Sequence, residues 1–148
     1  MGKPEVILCD TSLVGVIDRS AGDPTRIAHW PPRDRDRLDR AVLAISVVTE
    51  AEVRAGWTYA SWGERRVADA ELRLRAYVSV PVDRATLDEW SRLSAANKSG
   101  GWNISDNDLW IAATAIAHGL PLATSDGDHH RIAEQSLELL FYPVAPRE

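Results

Sequence analysis

A disulfide within the chain is ruled out at once. Among 148 residues there is one cysteine, Cys9, which fits a reducing compartment. Long apolar runs are missing too. Val6–Cys9, Leu43–Val48 and Leu137–Tyr142 fall far short of the ~20 residues that span a bilayer. The opening MGKPEVILCDTS has one lysine and only the short Val6–Cys9 run, so no secretory signal is expected. It also lacks the Ser or Thr that a myristoylation signal places after Gly2. Positive charge is in deficit: 17 Lys and Arg against 22 Asp and Glu give a net charge of −5. A protein that merely coats nucleic acid would be basic. Nucleic acid stays open as a substrate, because carboxylates gathered in one metal site subtract from the total without describing the rest of the surface. Repeats, low-complexity tracts and linkers are also lacking. The expectation is a soluble cytoplasmic protein, without membrane association, forming one domain over residues 1–148.

What is present is ordinary globular composition, 45% hydrophobic and 26% charged. That length suffices for one substantial core. Glu5–Cys9 reads as a short buried strand followed by a helix over Ser12–Arg19. Gly22–Pro24 and Trp30–Pro32 bound an irregular segment or short helix, and Asp34–Val42 is charged and helical. Leu43–Val48, β-branched and continuous, reads as a second strand. Helices then follow over Thr49 to about Trp62 and over Glu64–Tyr77, separated by Gly63. Val78–Val82 is a strand whose Pro81 suggests a sheet edge. Asp83 can cap a helix over Arg84–Lys98 that stops at Gly100–Gly101. Ser105 starts a helix to His118, with Gly119 as a left-handed terminator. Pro121–Thr124 is a strand, His130–Gln135 a short helix and Leu137–Tyr142 a last strand. Strands separated by helices imply crossover connections: a three-layer α/β/α sandwich around a mostly parallel sheet.

This layout distributes the acids in a pattern. Asp10 and Asp126 directly follow strands, while Glu52 and Asp108 fall in the first turns of helices. Strand C-termini and the following helix N-termini share one edge of an open parallel sheet, where ligands bind. Carboxylates meeting there repel, at roughly 3 kcal/mol for a pair about 5 Å apart at an effective dielectric near 20. A helix N-terminus returns only about 0.3–1 kcal/mol per carboxylate. Repulsion wins unless protons or cations are taken up, and an all-oxygen site suits Mg²⁺ or Mn²⁺. Taken singly, the same residues have plainer uses. Ser105 with Asp108, and Thr49 with Glu52, fit helix capping, and Asp126 and Asp128 fit a turn. Asp10 stands apart, since an acid closing a buried strand has no evident backbone task.

The stretches VILCDTSLV, ISVVTEAEVRAG, NDLWIAATAIAHGLPLAT and SDGDH occur in the order seen in PIN-domain proteins. Nearly the whole chain resembles that family, and most of all the toxin ribonucleases of VapBC toxin–antitoxin pairs, the VapC family. The resemblance implies a sheet of order 3-2-1-4-5, a homodimer, and an antitoxin that occludes the site. It also implies an Mg²⁺- or Mn²⁺-dependent endonuclease that hydrolyses RNA. Carried over residue by residue, Asp10, Glu52, Asp108 and Asp126 would be both catalytic residues and metal ligands. Thr11, Asp106 and Asp128 are secondary candidates, and Glu50 is a neighbour of similar chemistry. One departure stands out: the family commonly has an acid followed by Phe where this chain reads DHH, which puts His129 in the aromatic's place.

Arg65, Arg66, Arg73, Arg75 and Lys98 could grip an RNA backbone, with Arg65, Arg66 and Lys98 foremost, or simply form solvated faces. The four histidines, His29, His118, His129 and His130, lack helical ligand spacing and are not expected to bind metal. Of six tryptophans, Trp110 is expected in the core, and Trp57, Trp62 and Trp102 at a contact with the antitoxin or a second copy. Two other classes compete with this reading. A phosphoaspartate receiver or haloacid-dehalogenase-like phosphatase is disfavoured, because position 12 is Ser where the phosphatase needs a second Asp. A non-catalytic PIN-like module binding RNA or protein is the alternative to the nuclease.

Overall fold

The computed structural model describes residues 2–133 and 137–146, apart from the side chains of Asp128, His130 and Ala133. Five parallel strands form one sheet: β1 (Val6–Cys9), β2 (Val42–Ser46), β3 (Val78–Val80), β4 (Leu122–Thr124) and β5 (Leu139–Phe141). Their spatial order is β3-β2-β1-β4-β5. β1 lies at the centre, with Leu8 paired to Ala44 of β2 on one side and to Leu122 of β4 on the other. Short β3, followed by Pro81, is an edge strand, where a residue without an N–H is tolerated.

Alternation along the strands separates two cores. Ile7, Cys9, Ile45 and Ala123 face one side, and Leu8, Ala44 and Leu122 face the other. The first face is covered by α1 (Thr11–Ser20), α2 (Pro32–Arg40), α3 (Val47–Tyr59) and α4 (Glu64–Leu74). Leu13, Leu38, Trp57 and Leu74 are among the residues they bury. A 3₁₀ turn over Pro24–Ile27 fills the segment expected to be irregular or a short helix. The second face is covered by α5 (Arg84–Gly100), α6 (Asp106–Ala117) and α7 (His130–Ala133). Six residues of α6, from Leu109 to Ala115, are buried, and its alanines let it lie close to the sheet. No helix of the described residues is long and apolar enough to cross a membrane.

Several boundaries differ from the sequence expectation. β2 ends at Ser46, and Val47 and Val48 are already helical, although both favour strands. The Ser46 hydroxyl accepts the Val48 N–H at 3.1 Å, so Ser46 is the cap of α3 and Thr49 is not. Glu52 therefore lies in the second turn of α3. β3 stops at Val80 and β5 covers only Leu139–Phe141, each shorter than the apolar run around it. α4 stops at Leu74, three residues before Tyr77. Of the helix expected over His130–Gln135, the part past Ala133 lies outside the described residues. Other breaks fall where the punctuation put them. Asp83 caps α5 by accepting the Thr86 N–H at 3.0 Å, and Gly101 (φ 61°) and Gly119 (φ 62°) adopt the left-handed conformation beyond α5 and α6.

Candidate active site

Asp10 leaves β1 and caps α1 within one residue. Its backbone is extended, and Oδ1 accepts the Leu13 N–H at 2.9 Å and the Ser12 hydroxyl at 2.8 Å. The expectation that this acid has no backbone task is thus corrected: it satisfies a helix N-terminus. Oδ2 accepts the Thr124 hydroxyl at the end of β4 and lies 3.6 Å from His129 Nε2. The Asp10 N–H donates to Ala123 O at 2.9 Å, continuing the β1–β4 ladder by one bond. Thr124 Oγ1 in turn accepts the Asp126 N–H at 2.9 Å, and Ser12 Oγ accepts the Ser125 N–H at 3.2 Å. The ends of two adjacent strands are laced together around a carboxylate that is 2% exposed.

Asp108 arrives from another element. Ser105 caps α6 and accepts the Asp108 N–H at 3.2 Å, which puts Asp106 and Asp108 in the first turn, where the helix dipole favours anions. Asp126 lies two residues beyond β4, with Ser125 between them, and a 3₁₀ turn over Gly127–His129 follows. One ligating atom each of Asp108, Asp126 and His129 lie within 4.8 Å of one another. The imidazole is 3% exposed, and its Nδ1 has no hydrogen-bond partner among the described residues. Burial pulls its pKa down, but the contact with Asp10 and the charges of Asp108, Asp10 and Asp126 outweigh this and raise it. Three carboxylates around one imidazole ring gather more negative charge than the ring could offset. That donor set fits a divalent cation.

Glu52 of α3 lies outside that trio of donors and is tied to the residue after Asp10. The Thr11 hydroxyl donates to Glu52 Oε1 at 2.7 Å and lies 3.2 Å from Thr49 Oγ1, so the residue after Asp10 aims the glutamate. Glu50, by contrast, is engaged on the surface. Its Oε2 accepts the Ser79 hydroxyl at 3.0 Å and its Oε1 meets Arg54 at 3.1 Å. Asp106 is exposed at the start of α6, and the side chain of Asp128 lies outside the described residues.

The expected RNA-gripping cations are divided between the two helical layers. Arg65 and Arg66 open α4, with Arg66 stacked on Trp62 at 3.8 Å, while Lys98 lies in the last turn of α5. Arg73 pairs with Asp18 on α1. Trp57 does not present itself for a partner: it is 8% exposed and belongs to the core under α3. Trp110, expected in the core, is half-buried and stacked on Trp90 at 4.7 Å. Among the other histidines, His29 bonds Pro143 O and His118 faces Asp83.

Sequence reasoning passed over Thr124 and set His129 aside as a metal ligand. Thr124 carried a readable signal, since a hydroxyl closing a buried strand needs a partner. His129 carried a weaker one, its position three residues beyond Asp126 and its departure from the aromatic of the family pattern.

The PIN-domain family model matches residues 7–135. Ribonuclease VapC4 of Mycobacterium tuberculosis is 33% identical over 125 residues, covering 82% of this chain and 87% of that protein. Ribonuclease VapC5 of the same organism is 33% identical over 131 residues, with 80% and 87% covered. Among solved structures, VapBC-5 of M. tuberculosis, a member of the VapBC family of toxin–antitoxin systems, superposes with a TM-score of 0.66. The two are 28% identical, and 93% of this chain and 99% of that one are covered.

Proposed function

The chain belongs to the PIN-domain family, and from that premise we propose that it is a metal-dependent ribonuclease, the toxin of a type II toxin–antitoxin pair. On this reading residues 1–148 form a single PIN domain that works as a homodimer in the cytoplasm. It hydrolyses RNA and so inhibits translation until a cognate antitoxin covers the site. Two relatives named as ribonucleases, and the likeness to VapBC-5, support the activity and the partner. Tyr59 and Leu72, 86% and 66% exposed on α3 and α4, are apolar side chains that a partner would cover. The observation that carries the reading is convergence: donor atoms of Asp108, Asp126 and His129 gather from α6 and the β4 loop, with Asp10 against the same imidazole.

Asp10, Asp108 and Asp126, with Glu52 beside them, would hold Mg²⁺ or Mn²⁺. When bound, such an ion makes water nucleophilic near neutral pH and offsets the charge that builds as a phosphodiester opens. The protein's own part is positioning. Leu13, Ser12 and Thr124 together hold both oxygens of Asp10, leaving little freedom to its carboxylate. Thr11 orients Glu52, and the N-terminal end of α6 adds partial positive charge where a phosphate would approach. No nucleophilic Ser or Cys is required: burial pushes the nearby Cys9 thiol up to about 12, so it stays protonated. Arg65, Arg66 and Lys98 would contact the RNA backbone from the two layers, and the exposed Asp106 would lie at the rim.

The test uses purified full-length protein with RNA and Mn²⁺ or Mg²⁺. Cleavage should require the divalent ion, stop with EDTA and be lost in Asp108→Asn. Undiminished cleavage by that variant, or in EDTA, would refute the proposal.

A further inference from the structure

The nuclease reading puts the ion among oxygens, yet the pocket also contains one nitrogen donor. His129 is 97% buried by its 3% exposure, and Nδ1 lacks a partner among the described residues. A buried ring nitrogen without a bond is uncommon, because leaving it so forfeits the hydration it had in the unfolded chain. A purely structural histidine at this depth would have both nitrogens engaged. This one instead has a ring nitrogen within 4.8 Å of carboxylate oxygens of both Asp108 and Asp126.

The backbone explains how the ring reaches them. Asp126 and His129 come from one short loop, in which Asp126 is tied to Thr124 and a 3₁₀ turn over Gly127–His129 follows. The loop therefore delivers an oxygen and a nitrogen donor together, and α6 supplies the second oxygen. A divalent first-row ion sits about 2.0–2.2 Å from oxygen and nitrogen ligands. Three donors already within 4.8 Å of one another can close to such distances by small side-chain movements. Asp10 touches the same ring, and carboxylates commonly orient metal-bound histidines in this way.

We propose that His129 is a metal ligand, so that Asp108, Asp126 and His129 form a mixed oxygen–nitrogen site that selects Mn²⁺ over Mg²⁺. The inference rests on the metal-dependent nuclease reading and deepens it by naming the ion. Mg²⁺ favours oxygen donors and keeps much of its water, whereas Mn²⁺, though also suited to carboxylates, belongs to the first-row series that binds nitrogen and accepts one imidazole among them. Phe at position 129 would fill similar buried volume and leave an oxygen-only site, so the selectivity is a property of this side chain.

The experiment is pulsed electron paramagnetic resonance on the Mn²⁺-loaded full chain, with calorimetric titration of Mn²⁺ and Mg²⁺. The wild type should show ¹⁴N coupling from a directly bound imidazole, and His129→Phe should lose it. His129→Phe should bind Mn²⁺ at least about tenfold more weakly, the scale on which even an outlying partner of a ligand is felt. Its Mg²⁺ affinity should change much less. If that variant does not fold, His129→Gln serves in its place, and the wild-type spectrum is a test without any variant. Mn²⁺ bound to the wild type and weakened by Asp108→Asn, but with no ¹⁴N coupling, overturns the inference and leaves the nuclease reading standing. Coupling that persists in His129→Phe does the same. Absence of Mn²⁺ and Mg²⁺ binding to the wild type overturns both.

Discussion

Asparagine at position 10 and asparagine at position 108 remove the same charge and should nevertheless have different consequences. Asp10 is 2% exposed and accepts from Leu13, Ser12 and Thr124. In Asp10→Asn the amide oxygen can keep the Oδ1 bonds. The amide nitrogen at the other position cannot accept the Thr124 proton, and Thr124 Oγ1 already receives the Asp126 N–H. A hydrogen bond to a charged group contributes about 1.5–3 kcal/mol, and solvent cannot replace it at this depth. A loss of about 2–3 kcal/mol follows, and at about 2–4 °C per kcal/mol for a chain of this size the Tm falls by about 4–12 °C. Asp108 is half-buried and its carboxylate has no hydrogen bond among the described residues. Replacing it forfeits about 0.3–1 kcal/mol of helix-dipole stabilisation and relieves repulsion from its neighbours, so stability should move by under about 1 kcal/mol. Thermal unfolding in EDTA, followed by circular dichroism, measures both stability changes, and RNA cleavage in Mn²⁺ measures the shared loss of activity. Both variants should be inactive, with only Asp10→Asn melting early. If Asp10→Asn melts with the wild type, the account of Asp10 as the knot between β1, α1 and β4 is wrong.

Three further outcomes are expected. Trp57→Ala should cost the isolated protein about 3–5 kcal/mol, because Trp57 is core; an unchanged melting curve would return it to the partner surface. Thr11→Val should slow RNA cleavage by about tenfold or more, since it removes the bond to Glu52 and each 1.36 kcal/mol is tenfold in rate. Equal rates in single-turnover assays would show that Glu52 needs no such aim. The Thr86 N–H and hydroxyl hold the Asp83 carboxyl below its usual value, assisted by the charge of His118. A lowered pKa favours the folded state above the unfolded value of about 3.9, and that advantage is lost as pH falls through the folded pKa. Asp83→Asn should therefore weaken the pH dependence of denaturant stability between about pH 5 and 2, and an unaltered profile counts against this cap.

The parallel sheet was legible because β-branched runs alternated with helical ones and because Gly and Asp marked their ends. Asp83, Gly101, Ser105 and Gly119 all do the capping work that their residue types suggest. Apolar runs overstated the strands, because an apolar residue just beyond a ladder is buried by helices equally well. Val47 and Val48 are the clear instance: Ser46 offered a hydroxyl to the next turn, and local capping overrode strand propensity. Among the acids, Glu50 and Glu52 could not be ranked from spacing alone without the family pattern. Their separation depends on Ser79 and Arg54 for one and Thr11 for the other, contacts that only the folded chain creates. His129 was only faintly legible, for a related reason. Its proposed role depends on the 3₁₀ turn over Gly127–His129, and no periodicity announces such a turn.

The central place of β1 has a consequence for synthesis. Asp10 and Glu52 emerge from the ribosome long before Asp108, Asp126 and His129, and β4 must insert beside β1 before these groups can meet. A product that stops before α6 would carry Asp10 and Glu52 without the other three groups. On the proposed reading, the first hundred residues alone cannot form the pocket, because Asp108, Asp126 and His129 all follow them.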